Sequence, residues 1–110
     1  MPALRTWGGR SQFNYEGSVE AGTYITYGKR KNKARVEGHQ YAALRHQFLN
    51  QVVPLGTTRK TSETEPPPGS LGDWLHANVT YAAIASYVGP ILVLEDYAER
   101  VGKHDIRIIL

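Results

Sequence analysis

The hydrophobic period of this chain changes at Glu37. Before it, apolar and aromatic residues alternate with polar ones. Beyond it, Tyr41, Leu44 and Phe48, with Val52 further on, recur at helical spacing. A strand turns successive side chains to opposite faces, whereas a helix brings positions three and four apart together, so the switch separates a strand-forming beginning from a helical middle. The expectation is an α+β fold: a small antiparallel sheet of three or four strands packed against about four helices.

Segments 13–15, 23–27 and 33–36 read as strands, rich in aromatic and β-branched residues and separated by Gly17 and by the turn 28–32. Tyr24 and Thr26 then share one face, and Thr23, Ile25 and Tyr27 the other. Residues 1–12 carry Pro2, Gly8 and Gly9 without periodicity, which predicts an irregular arm anchored by Trp7. Residues 13–110 read as one α+β domain. The helix after Glu37 spans roughly 38–50, and Pro54 and Gly56 close that segment. A Pro-rich loop over about 54–69 follows, with three prolines at 66–68 that favour extended backbone.

Ser70-Leu71-Gly72-Asp73 has the form of a capping box and predicts a short helix over 73–78. A second helix is expected from Thr80, with Tyr81, Ile84, Ala85 and Val88 on one side. Gly89-Pro90 should break it, since proline lacks an N–H and clashes with the preceding turn. A further helix, Pro90 to about Val101, would present Ile91, Leu94, Ala98 and Val101 until Gly102 ends it. The β-branched tail 105–110 reads as a last strand joining the N-terminal sheet.

The chain has 110 residues and no cysteine, which excludes disulfides, thiolate nucleophiles and Cys-ligated metals. Its beginning, MPALRTWGGR, lacks the apolar run of a signal peptide, and the uncharged stretch 77–94 is interrupted by polar residues, Gly89 and Pro90. A cytoplasmic protein with no membrane span is therefore expected. The net charge of +3 is unevenly spread: KRKNKAR at 29–35 alone carries +5, which leaves −2 on the remainder.

That cluster carries the leading functional expectation, a non-catalytic protein that binds DNA or RNA through a basic hairpin tip. Lys29, Arg30, Lys31, Lys33 and Arg35 would neutralise phosphates, Tyr27 (or Tyr24) would supply an aromatic platform, and Arg59 with Lys60 on the long loop would assist. Arg5, Arg10 and Arg45 extend the surface if the fold gathers them. The opposing explanation is a lysine-rich tip that keeps the sheet soluble and unpaired.

The alternative is a homo-oligomeric assembly module, a dimer whose interface is the apolar segment 79–94 with the small residues Ala82, Ala85, Ser86 and Gly89. A small-ligand pocket lined by Trp74, Tyr81, Tyr87 and Tyr97 beside Glu95 or Asp96 is a further option. His39 and His46 lie seven apart, about 10 Å along a helix, too far to share one metal ion. No nucleophile, zinc or phosphate-loop motif is present, so neither catalysis nor a cofactor is expected.

Overall fold

The computed structural model describes residues 3–56, 66–80 and 82–110. The chain is α+β, with two antiparallel sheets and three helices among the described residues. β1 (Ala3–Arg5), β2 (Gln12–Ser18), β3 (Gly22–Tyr27) and β4 (Asn32–Glu37) form a four-stranded meander in sequence order. Phe13 faces Tyr27 and Ile25 faces Ala34 in its register, so Phe13, Tyr15, Thr23, Ile25 and Val36 share a buried inner face. Asn14, Glu16, Tyr24, Thr26, Lys33 and Arg35 occupy the outer one. The expected irregular arm thus contributes a strand, β1, and Trp7 anchors the loop behind it at 5% exposure.

α1 (Gly38–Phe48) begins where β4 ends and buries the expected stripe of Tyr41, Leu44 and Phe48. The Glu37 backbone N–H donates to Gln40 Oε1 at 2.8 Å, which ties off the helix start. Tyr41 reaches back to the sheet, its hydroxyl 2.8 Å from Thr23 Oγ1 in a dry setting, and burial pushes its phenol well above the ordinary range. Val52 lies outside the helix, in β5 (Val52–Pro54). α2 (Leu71–Asn78) starts two residues earlier than expected and carries the expected cap: Ser70 Oγ accepts the Asp73 N–H at 3.1 Å.

The C-terminal third departs most from expectation. α3 (Ala85–Leu94) runs through Gly89-Pro90 unbroken, and Ala98–Val101 is strand β6, not helix. An interior proline deprives the carbonyl four residues back of its donor. Here that carbonyl, Ser86 O, accepts the Trp7 backbone N–H at 3.0 Å, so a loop residue replaces the missing helical bond. Gly89 makes the space for this docking, because a Cβ there would sit 2.8 Å from Trp7 Cε3 and 2.9 Å from Leu55 Cδ1.

Helix α3 stops at Leu94, and Asp96 adopts a left-handed φ of 67° that turns the chain into β6. β7 (Asp105–Ile108) then returns on β6 through a three-residue turn and pairs with β5 on its other side, giving the order β5-β7-β6. The C-terminal strand therefore builds a second sheet and does not join the first. Closing a short local hairpin costs less chain entropy than crossing the domain to a distant edge. Helices α1 and α3 each touch both sheets, α1 through β3, β4 and β7, and α3 through β1 and β6. Three helices, where about four were expected, complete the described core.

Candidate nucleic-acid interface

The meander brings two of its connections, loop 6–11 and turn 28–31, to the same end of the sheet. In the turn, Gly28 at φ 77° and Lys31 at φ 53° reverse the chain, and the Lys31 N–H donates to Gly28 O at 3.2 Å. Lys29, Arg30 and Lys31 are exposed there. The loop is closed by Thr6 N–H to Ser11 O at 2.9 Å and Gly9 N–H to Thr6 O at 2.8 Å, and it presents Arg10 to solvent.

Trp7 brings in a third connection, turn 102–104. Its Nε1 donates to Lys103 O at 2.9 Å, while Arg100 Nη2 donates to Trp7 O at 2.9 Å and stacks its guanidinium 4.0 Å above the indole. Between loop 6–11 and turn 102–104 lies a cleft of about 720 Å³, walled by Trp7, Tyr87 and Ser86 and edged by Arg10, Arg100 and Lys103. Among the described residues, no acidic side chain lines it. The sequence does not show Trp7, Arg10, Arg100 and Lys103 as a group: Trp7 was expected as an anchor and Arg10 as an extension of the basic surface, while Arg100 and Lys103 carried no signal.

The seven-residue basic cluster is divided between the turn and the sheet face. Lys33 and Arg35 lie on the outer sheet face opposite Thr26 and Tyr24. Arg35 is engaged twice: its Nε and Nη2 each donate to Glu37 at 3.1 Å, and it stacks 4.1 Å over the Tyr24 ring. The paired hydrogen bonds hold the Glu37 carboxyl below its usual range.

Tyr27 is on the inner face, stacked on Tyr87 at 4.5 Å, with Tyr87 also edge-on to Phe13 at 5.1 Å. Tyr27 is therefore a packed ring and not an open platform for bases. The exposed tyrosine is Tyr24, at 59%. Arg45 lies elsewhere, its Nε bonded to Leu110 O at 2.7 Å and its guanidinium over Tyr97. Arg59 and Lys60 fall outside the described residues.

The proposed dimer interface and aromatic pocket meet a different arrangement. Ala85 is 1% exposed and Gly89 is buried under Trp7 and Leu55, while Ala82 and Ser86 are half-buried. Of the four residues of the expected small-residue interface, Ala85 and Gly89 are covered by their own chain, and Ala82 and Ser86 are partly accessible. Two of the rings expected in the aromatic pocket have other neighbours. Tyr87 faces Tyr27, Tyr97 lies under Arg45, and Tyr81 is outside the described residues. Glu95 is committed to structure, with Oε2 accepting the Tyr15 hydroxyl at 2.8 Å and Oε1 the Val19 N–H at 2.9 Å. Among the described residues no three potential metal ligands cluster, and no helix is long and apolar enough to cross a membrane.

Comparison with protein-family models, curated proteins and solved structures finds no match to this chain.

Proposed function

We propose that the protein binds nucleic acid, without catalysing a reaction, through the basic end of its four-stranded sheet. The observation that carries the reading is the charge at that end: Lys29, Arg30 and Lys31 are exposed on one tight turn, and among the described residues no carboxylate pairs with any of them. Cations held without acidic partners have their Coulomb field and their donors available for phosphate. Arg10 adds to the same end, whereas Arg35, neutralised by Glu37, does not belong to the grip.

The experiment is a salt titration of binding to single- and double-stranded oligonucleotides by the parent chain and by a variant with Lys29, Arg30 and Lys31 all changed to Gln. Each cation that no longer meets a phosphate lowers the slope of log affinity against log salt by about 0.7 to 0.9, so neutralising all three flattens it by roughly 2 to 3. Arg35→Gln serves as the control and leaves the slope unchanged. Equal slopes for the parent and the triple variant would remove the basis of the proposal.

A further inference from the structure

The cleft behind Trp7 has a property that the hairpin tip lacks. One of its cations, Arg100, is held in place by a backbone carbonyl and an aromatic ring, and among the described residues no carboxylate is involved. A guanidinium usually reaches such order by pairing with an acid, and its charge is then spent. Here one Nη2 hydrogen bond to Trp7 O and the stack at 4.0 Å fix the plane, and among the described residues no carboxylate pairs with the guanidinium. The planar fork has five N–H donors, so the bond to Trp7 O leaves most of them for a ligand.

Arg10 and Lys103 share the lining with Arg100, the Ser11 hydroxyl adds a small donor, and among the described residues no acid lines the cleft. The volume, about 720 Å³, accommodates a group of nucleotide size. The wall next to the tip is Tyr87, whose partner in the stack, Tyr27, is the last residue before turn 28–31. The cleft and the tip thus meet across a single pair of rings.

We propose that this cleft is a phosphate-binding site, with Arg100 as the fixed donor and Arg10 and Lys103 as closing cations. Its phosphate belongs to the same nucleic-acid strand that the tip holds, a source that rests on the function proposed above. Two grips separated by the Tyr27–Tyr87 stack direct a strand from the turn into the cleft.

The test uses the emission of Trp7, isolated by Trp74→Phe, with three probes: a nucleoside 5′-monophosphate, the same nucleoside without phosphate, and a single-stranded oligonucleotide. Lys103→Gln with Arg10→Gln removes two cations and keeps the Trp7 bond, because Lys103 accepts it through its backbone. The monophosphate and the oligonucleotide are expected to change the emission at low salt and the nucleoside to leave it unchanged. The double variant is expected to weaken both ligands by roughly tenfold for each cation removed.

With Lys29, Arg30 and Lys31 changed to Gln, the oligonucleotide weakens and the monophosphate does not. If no phosphate-bearing probe alters Trp7 emission, or if the double variant binds as the parent does, the cleft assignment falls. Sensitivity to the tip alone would leave the nucleic-acid reading standing without it. Binding of the monophosphate with none of the oligonucleotide overturns the strand as the phosphate source and the proposed function together.

Discussion

Gly89→Ala probes the packing on which the basic end is built. The added Cβ would lie 2.8 Å from Trp7 Cε3, 2.9 Å from Leu55 Cδ1 and 3.1 Å from Trp7 Cζ3, where carbon atoms normally rest about 3.5 to 4.0 Å apart. The indole has little freedom to yield, since its Nε1 and the Trp7 backbone N–H and C=O are all bonded. Forcing a methyl into such packing costs roughly 1–3 kcal/mol. Replacing glycine by alanine inside a helix returns about 1 kcal/mol. The expected net effect is a loss of up to about 2 kcal/mol, and each kcal/mol lowers the Tm of a domain near this size by about 4–8 °C.

Urea unfolding followed by tryptophan emission measures the change, with a lower midpoint at an unchanged m-value as the expected result. Gly8→Ala is the control, since nothing lies within 4 Å of a Cβ at that position. If Gly89→Ala gains the stability that helix propensity alone predicts, about 1 kcal/mol, Trp7 is not packed on α3 and the cleft loses its wall.

The other predictions concern single hydrogen bonds. The Tyr15 phenol is pushed up to about 12 by burial and by its hydrogen bond to Glu95, so its protonated form is favoured in the folded chain. The stability it contributes is fully present below the unfolded value near pH 10 and is lost as pH rises toward about 12. Tyr15→Phe should therefore be less stable at neutral pH and lose less stability than the parent between about pH 10 and 12, as read by denaturation at several pH values; parallel curves would contradict the assignment. Ser70→Ala removes the oxygen that accepts the Asp73 N–H and should cost about 1 kcal/mol, with faster amide exchange in the first turn of α2. An unchanged exchange rate would mean that the cap is not maintained in solution.

Where a sequence signal was local, it was sufficient. The period change at Glu37 located the boundary between β4 and α1, and the Ser70 cap located α2 within two residues. Signals that depend on a distant partner were misread. Gly89-Pro90 looks like a helix break on its own, and it becomes a docking point only because Trp7 supplies the absent donor. Ala98–Val101 fits a helical stripe in sequence, yet Asp96 turns the chain and β7 pairs with the segment. The tip cations were legible as a run of charge. Their division between turn and sheet face required the strand register, and the cleft required pairings across most of the chain.

Those pairings bear on the order of events during synthesis. Trp7 meets Lys103 across 96 positions, and Tyr15 meets Glu95 across 80. At about 5–20 residues per second, the partners of the first sheet follow it from the ribosome after a delay of roughly 4–20 s. During that interval the meander has its hairpin pairing and the contact of α1 through Tyr41, but Phe13 and Tyr15 still lack Tyr87 and Glu95, and the packing is incomplete. Pairings this far apart also slow folding in the finished chain, since loop closure precedes the interactions that reward it. The lysines and arginine of turn 28–31 are like charges beside the edge strand β4, and such charges oppose the addition of one waiting sheet to the edge of another.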